Sequence, residues 1–404
     1  MKIIVIGGVP RSLVNFRGPL LQAMVSRGHE VIACAPDAPE DVREKLSDMG
    51  VEYCHVPVKR AGMNPAGDLV TAFNLFRLFR RRRPDAVLAY TAKPVIWGCL
   101  AAGAAGVPAA YPMITGLGYA FIDGGGFRQQ AVGRVAAALY RAALARTKAV
   151  FFQNPDDLAD FKKGNLLKKG ARTVLINGSG VDLHHYPLSP LPNAPVFLLM
   201  ARLIGDKGIR EYREAARRVR AKYPEARFLL AGGFDENPAA ISKEEIRRWQ
   251  EEGDIEYLGR LEDVRLAIAQ SRIYVLPSYR EGTPRTVLEA MSMGRPVITT
   301  DAPGCRETVQ FVSGQWEVVS RQQAKVESQA AEAQDPKAAC GMIKRGENGF
   351  LVPVKDAGAL AEAMEKFIEQ PGLAETMGRE SRCIAEEKYD VHKVNRVILE
   401  VMGA

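Results

Sequence analysis

The segment IYVLPSYREGTPRTVLEAMSMGRPVITT, from Ile273 to Thr300, decides the fold. Apolar runs at its start and from Pro296 to Thr300 are typical of buried strands, and the pattern from Arg285 to Met293 is helical. Neighbouring parallel strands need a crossover of this length, which is usually a helix. The segment therefore predicts one strand–helix–strand unit of a parallel α/β sheet.

The same alternation extends along the whole chain. In the first half we predict strands and helices at Ile3–Ile6, Leu20–Ser26, Glu30–Ala35, Leu69–Arg82, Ala86–Tyr90, Pro108–Ile114, Gln129–Arg146 and Ala149–Asn154. In the second half the corresponding elements are Val196–Met200, Arg210–Lys222, Arg227–Ala231, Lys243–Glu252 and Ile255–Leu258. Four prolines between residues 187 and 195 block helix and sheet alike and mark a connector. This pattern predicts two doubly wound α/β domains, 1–188 and 189–382, facing a central cleft where open sheets bind ligands.

Composition excludes several classes of protein. The 404 residues are 47% hydrophobic and 25% charged, which is a globular mixture rather than a disordered or fibrous one. The six cysteines form no CxxC pair, so we expect reduced thiols in a cytoplasmic protein and no cysteine zinc site. The uncharged stretch 94–122 contains several prolines and glycines, which favours a helix and a buried strand over a membrane span.

The basic charge is concentrated in the first half. Residues 1–186 carry 24 Lys and Arg against 14 Asp and Glu, which suggests an anionic partner there. The run Arg80–Arg83 ends a helix containing Phe73, Leu75, Phe76, Leu78 and Phe79. It suits either the helix dipole or an anionic membrane surface, and both interpretations stay open. Segment 310–345 is poor in large apolar residues at its centre and is predicted to be an exposed insertion.

The strongest chemical signal is the pair Glu281 and Glu289. Glu281 lies in the loop after a strand, and Glu289 lies about one turn into the helix that starts near Pro284. Backbone N–H groups at such a helix start form an anion site suited to a diphosphate, and a carboxylate accepts hydrogen bonds from vicinal sugar hydroxyls. The candidate residues between the two glutamates are Gly282, Thr283, Pro284, Arg285, Thr286 and Val287.

Two further strand ends carry candidate phosphate ligands. Arg202 and Lys207 follow Val196–Met200 and could neutralise a diphosphate leaving group, although solvated loop cations are the alternative. Gly7 and Gly8 follow the first strand without the GxGxxG spacing, so a dinucleotide fingerprint is not supported. Nearby, Arg11 and Arg17 either meet an anionic acceptor or are surface arginines. The sequence has no DxD motif, so we expect neither a metal nor a cofactor.

Together these residues resemble glycosyltransferase family 4, the retaining enzymes of the GT-B fold. Thr91-Ala92-Lys93-Pro94, Thr115-Gly116-Leu117-Gly118-Tyr119 and the sequence around Glu289 are similar to the subgroup that extends polyprenyl-diphosphate-linked saccharides. The resemblance implies that Arg202 and Lys207 hold the donor diphosphate, Glu281 contacts the donor sugar, and Glu289 binds the ribose. It also implies that Arg260 and Leu261 lie near the base, and that helix 383–404 crosses back to the first domain. Thr115 and Gly116 stand where many members carry a histidine.

We therefore expect a transferase acting with retention of configuration on the inner face of the cytoplasmic membrane. Its substrates would be a UDP-sugar and a polyprenyl-diphosphate-linked saccharide, and its basic first half would meet an anionic membrane surface rather than nucleic acid. One alternative is an enzyme similar to UDP-sugar 2-epimerases, which would turn over without an acceptor. The other is a non-catalytic protein that binds sugar nucleotides or, if binding is steeply salt-dependent, nucleic acid.

Overall fold

The computed structural model describes residues 1–58, 65–116, 127–235, 237, 239–311, 317–318 and 342–404. The chain forms two compact units, Met1–Gly180 together with Val391–Ala404, and Val181–Asp390. The sequence-based division at residues 188 and 383 differs from these boundaries. The reason is that Val181 donates its N–H to the Tyr389 carbonyl at 2.7 Å, which attaches both ends of the second unit to each other.

The first unit is built on a sheet of seven described strands, all parallel, in the order β3-β2-β1-β4-β5-β6-β7. Its strands are β1 (Lys2–Ile6), β2 (Glu30–Ala35), β3 (Glu52–His55), β4 (Ala86–Tyr90), β5 (Ala109–Ile114), β6 (Val150–Phe152) and β7 (Thr173–Leu175). The central strands are buried on both faces, as expected where helices cover a parallel sheet.

Helices cover both faces of this sheet. They are α1 (Pro10–Asn15), α2 (Gly18–Ser26), α3 (Glu40–Asp48), α4 (Pro65–Arg82), α5 (Ala92–Ala105), α6 (Phe127–Leu144) and α7 (Pro155–Lys163), with α14 (Val391–Met402) from the end of the chain. The apolar stripe of α14, including Val394, Ile398 and Leu399, is buried in the same core as β1. The C-terminal helix thus belongs to the first unit because its apolar face completes that core.

The second unit contains a sheet of eight described strands in the order β10-β9-β8-β11-β12-β15-β14-β13. Its strands are β8 (Val196–Met200), β9 (Arg227–Ala231), β10 (Glu256–Tyr257), β11 (Ile273–Leu276), β12 (Val297–Thr300), β13 (Glu317–Val318), β14 (Lys344–Arg345) and β15 (Gly349–Val352). All pair in parallel except β13 and β14, which are antiparallel at the edge. The helices are α8 (Ile209–Arg220), α9 (Lys243–Glu251), α10 (Arg265–Gln270), α11 (Arg285–Ser292), α12 (Ala357–Glu369) and α13 (Pro371–Lys388).

Two doubly wound sheets confirm the predicted fold class, and the opening strand–helix–strand segment appears as β11, α11 and β12. The uncharged stretch forms α5 and β5, as predicted, up to residue 116, after which residues 117–126 lie outside the described part. In the described ranges, no helix is both long enough and apolar enough to cross a bilayer. The centre of the predicted insertion, 321–337, lies outside the described residues.

Candidate active site

The candidate site forms where two neighbouring strands of the second sheet end. β8 and β11 run in parallel side by side, so Arg202 and Lys207, which follow β8, lie at the same sheet edge as the loop 278–281, which follows β11. The two loops are joined directly because Tyr279 donates its N–H to the Asp206 carbonyl at 2.9 Å. The strand ends therefore bring the predicted cations and the predicted carboxylate together.

Lys207 and Glu281 form an ion pair between Nζ and Oε1, and each side chain is only 16% exposed. A pair this far from solvent is screened weakly by salt. The approach depends on Gly208, which has φ +69°; a Cβ at this position would lie 2.1 Å from the Pro277 carbonyl oxygen. Only glycine allows the loop after β8 to come so close to the end of β11.

The backbone of Glu281 is supported from its other side by a turn that sequence reasoning missed. Glu281 donates its N–H to the Pro303 carbonyl at 2.9 Å. Gly304 has φ +79°, and a Cβ there would lie 2.2 Å from the Glu281 carbonyl oxygen and 2.5 Å from that of Gly282. The signal that could have found this turn is the Pro-Gly dipeptide after β12, which marks a tight turn.

Glu289 is a buried carboxylate held by two donors. The Tyr186 hydroxyl donates to Glu289 Oε1 at 2.9 Å, and Arg285 Nε donates to the same oxygen at 2.8 Å. Burial raises the pKa of Tyr186, and the adjacent Glu289 charge raises it further, so this hydroxyl remains a donor. Both donors use Oε1, which leaves Oε2 as the oxygen that can accept hydrogen bonds from a ligand.

Arg202 has a carboxylate partner that the sequence analysis did not include. Its guanidinium lies 2.7 Å from Asp235 Oδ2, and about half of the Arg202 side chain is exposed. Asp235 follows β9, the strand next to β8, after Gly232 and Gly233. A carboxylate soon after a strand and two glycines is a sequence signal for a residue at the same sheet edge.

The remaining predicted donor-binding residues lie around α11 and after β10. Pro284 has extended backbone and caps α11, and its carbonyl accepts the N–H of Val287 at 3.1 Å. The N–H of Val287 is therefore bonded within the helix start and cannot face a ligand, so the predicted run of ligand-facing amides, 282–287, is shorter by this residue. Thr286 is half-buried in the first turn of α11. Arg260 is exposed beyond β10 and Leu261 packs partly against the core.

The first unit brings a second set of predicted residues to one sheet edge. Gly7 and Gly8 follow β1, Thr91 follows β4, and Thr115 and Gly116 follow β5, and these three strands are neighbours. A Cβ on Gly7 would lie 2.3 Å from the Tyr90 hydroxyl, which also lies 2.8 Å from Ser12 Oγ. The residues 117–119 of the predicted motif lie outside the described part of the chain.

The two predicted arginines of this unit have different environments. Arg11 is about half exposed and forms a bidentate pair with Asp41 at 2.7 and 3.2 Å. Arg17 is buried, with its guanidinium 5.0 Å from the centroid of the Tyr90 ring, so its interpretation as a surface arginine is wrong. Burial raises the pKa of Tyr90 to about 12. Arg17 thus belongs to the base of the strand-end loops, whereas Arg11 lies on the helical surface.

No group of three or more His, Cys, Asp or Glu side chains within the described ranges is arranged to hold a metal ion. The candidate charged residues of the second unit form ion pairs with one another or with a neighbouring carboxylate: Lys207 with Glu281, Arg202 with Asp235, and Arg285 with Glu289. Such a site offers cations for phosphate oxygens and carboxylates for hydroxyls within one set of strand ends.

Comparisons with known proteins identify the same two units. The family described as "Glycosyl transferases group 1" matches residues 194–335, and the "Glycosyl transferase 4-like domain" matches residues 17–178. The chain is 30% identical over 323 residues to N,N'-diacetylbacillosaminyl-diphospho-undecaprenol alpha-1,3-N-acetylgalactosaminyltransferase of Campylobacter jejuni, covering 76% of this chain and 83% of that protein. It is 24% identical to UDP-Gal:alpha-D-GlcNAc-diphosphoundecaprenol alpha-1,3-galactosyltransferase of Escherichia coli, over 64% and 68% of the two chains.

Solved structures share the whole fold. Sucrose-phosphate synthase from Thermosynechococcus elongatus aligns over 100% of this chain and 98% of its own, with a TM-score of 0.75 and 18% identity. Anabaena Alr3699/HepE, crystallised with UDP and glucose, aligns over all of both chains with a TM-score of 0.71 and 19% identity. The matched families and the shared fold thus define a glycosyltransferase of the GT-B fold. With its relative from Campylobacter at 30% identity, the chain belongs to the family of group 1, 4-like glycosyl transferases.

Proposed function

We propose that the enzyme transfers a sugar from a UDP-sugar to a polyprenyl-diphosphate-linked saccharide, with retention of configuration and without a metal ion. The acceptor class rests on the names of the Campylobacter and Escherichia relatives, because each name includes a sugar linked to diphospho-undecaprenol. The observation that carries the proposal is the Lys207–Glu281 pair at the start of α11, where a cation and a carboxylate share one sheet edge. The acceptor places the reaction at the inner face of the cytoplasmic membrane.

In this proposal the second unit binds the donor. Arg202 and Lys207 contact the diphosphate together with the amides before α11, and Glu281 accepts hydrogen bonds from hydroxyls of the sugar. Glu289 Oε2 accepts the ribose hydroxyls, and the base lies by Arg260 and Leu261. The acceptor is bound by the strand-end loops of the first unit, which contain Gly7, Gly8 and Thr115.

The chemical step follows from these positions. The bond between the anomeric carbon and the diphosphate breaks, and its electron pair leaves with UDP. The acceptor hydroxyl attacks from the side that UDP leaves, and its proton passes to the departing phosphate oxygen. Lys207 and Arg202 stabilise the charge that develops on the diphosphate, which is the role of preorganised cations in such a transition state. No carboxylate serves as a covalent nucleophile.

The first test measures UDP release from UDP-glucose, UDP-galactose and their N-acetylated forms, each with and without a polyprenyl-diphosphate-linked saccharide. We expect release from one donor only when the acceptor is present, an α-linked product from an α-linked donor by NMR, and unchanged rates in EDTA. Turnover of a UDP-sugar without acceptor would instead indicate an epimerase, and the absence of release from every donor would contradict the proposal. A β-linked product would contradict retention alone.

Tyr186 provides a second prediction, on donor affinity. Replacing Tyr186 with Phe removes one of the two donors to Glu289 Oε1 while keeping the ring. Because a hydrogen bond to a charged group stabilises its geometry by about 1.5–3 kcal/mol, we expect KM for the donor to rise roughly tenfold with kcat nearly unchanged. Steady-state kinetics with varied UDP-sugar measure both constants.

The matched control is Tyr223→Phe. The Tyr223 hydroxyl also donates to a glutamate, Glu369, at 3.0 Å, but this contact is exposed and joins the turn after α8 to the end of α12. This variant should keep the wild-type KM. Equal changes in both variants, or a fall in kcat with constant KM for Tyr186→Phe, would show that Tyr186 does not position the ribose-binding carboxylate.

A further inference from the structure

Helix α4 has an outer face that combines large apolar residues with arginines. Leu69, Val70 and Phe73 are 64%, 53% and 57% exposed, although each is a residue type that usually lies in a core. One to three turns further along, Arg77, Arg80 and Arg81 are exposed as well. At 100° per residue these six positions fall within a sector of about 120°, so they form one continuous face. We call these six residues the α4 outer face.

The opposite side of α4 accounts for the attachment of the helix to its own unit. Thr71, Leu75 and Phe79 are buried, and Leu75 and Phe79 belong to the core that covers one side of the sheet. Most of the apolar residues that the sequence analysis associated with a membrane are therefore core residues, and of that set only Phe73 is strongly exposed. The α4 outer face is therefore not the face that packs this helix against its own unit.

The charge of this face is entirely positive. The acidic residue of α4, Asp68, is drawn inward by Lys93 at 2.8 Å, and both side chains are mostly buried. Arg82 pairs with Glu52 of β3 and stands apart from the outer face. The Arg77 guanidinium lies 5.8 Å from the centroid of the Phe73 ring, so the apolar and basic parts of the face are in contact.

We propose that the α4 outer face docks the enzyme on an anionic lipid bilayer. Its apolar side chains would enter the headgroup region while its three arginines contact lipid phosphates, the arrangement by which amphipathic helices lie on membranes. An uncharged bilayer would contact only the apolar residues of this face. Charge complementarity between its three arginines and lipid phosphates therefore favours an anionic bilayer as the partner. The purpose of docking rests on the proposed function, in which the acceptor is anchored in the membrane, but the surface argument depends on α4 alone.

The test is co-sedimentation of the full chain with vesicles of phosphatidylcholine alone or mixed with phosphatidylglycerol. We expect binding to the mixed vesicles and about a 100-fold weaker partition for the variant with Arg77, Arg80 and Arg81 all changed to Gln. The variant L69S/F73S should lose at least tenfold. Leu266→Ser is the matched control, because Leu266 is 72% exposed on α10 of the second unit, and it should bind as the wild type does.

A second readout separates docking from catalysis. With a short-chain acceptor free in solution, the α4 variants should keep wild-type kcat, whereas with acceptor embedded in mixed vesicles their rates should fall. Wild-type partition of both α4 variants would overturn the proposal. So would a wild-type dimer in solution that L69S/F73S converts to a monomer, since the face would then bind a second copy. Transfer that fails with every donor, alongside α4-dependent vesicle binding, would remove the proposed function but leave the docking surface.

Discussion

Replacing Lys207 with Ala is expected to lower kcat by about 10²–10³-fold, the usual cost of removing one preorganised group that stabilises developing charge. Lys207 is the less exposed of the two strand-end cations, and its ammonium already contacts Glu281. The variant removes the cation that we propose contacts the diphosphate, and it leaves Glu281 as a largely buried carboxylate without this partner. Both effects act on the step in which UDP leaves, so kcat should fall more than KM for the donor rises.

The control for this variant must distinguish two causes of a lower kcat: the loss of a catalytic cation, and the loss of the lysine that pairs with a buried carboxylate. Lys222→Ala provides it, because Lys222 lies 2.6 Å from Glu365, whose side chain is only 4% exposed. That pair joins the end of α8 to α12 rather than the strand ends. We expect Lys222→Ala to lose some stability and keep kcat. Single-turnover kinetics that show similar losses in both variants would assign the Lys207 effect to folding and contradict its role at the diphosphate.

The fold was predictable because its signals are local. Each βα unit carries an apolar run followed by a helical pattern, and Glu281, Lys207 and Arg202 each come directly after such a run. Strand ends of a parallel sheet meet at one edge, so sequence order alone placed these residues together. Glu289 was predictable in the same way, since a helix that starts at Pro284 fixes its distance from the loop.

The contacts of these residues with Tyr186 and with the turn at Gly304 were not predicted, because the contacting residues come from other parts of the chain. Tyr186 is 103 positions from Glu289 and lies just before the proline-rich connector, in a stretch without periodic pattern. Gly304 supports Glu281 through its missing Cβ, and although the Pro-Gly dipeptide indicates a turn, it does not indicate which residue the turn contacts. The boundary at Asp390 was not predicted either. Only Tyr389 and Asp390 separate α13 from α14, and neither glycine nor proline marks the change of unit.

Replacing Arg295 with Met is expected to destabilise the protein by about 3–5 kcal/mol, because several buried carbonyls lose their donor and each unsatisfied one costs about 1–3 kcal/mol. Arg295 is fully buried, and burial lowers its pKa to about 10, so it remains protonated at neutral pH. Its guanidinium donates to six backbone carbonyls, which are those of Ser189, Pro190, Ile268, Ala269, Ser271 and Met293. Methionine fills much of the volume but donates to none of them.

These carbonyls belong to three segments that Arg295 holds together: the proline-rich connector, the end of α10 and the end of α11. Tyr186 immediately precedes this connector; its carbonyl accepts from Ser292 Oγ at 2.6 Å, and its hydroxyl donates to Glu289. Loss of Arg295 should therefore raise KM for the donor as well as lower stability. Calorimetric unfolding and donor kinetics measure the two effects.

Arg247→Met is the control for both measurements. The Arg247 side chain is 75% exposed and pairs with Glu251 on the surface of α9, so its loss should change stability by no more than about 0.5 kcal/mol. A melting temperature for Arg295→Met equal to that of Arg247→Met would show that the six carbonyls find other donors. A large fall in stability with an unchanged KM would show that the connector keeps Tyr186 in place without Arg295. Only the combined change supports a single buried cation that fixes both the second unit and Glu289, the proposed ribose-binding carboxylate.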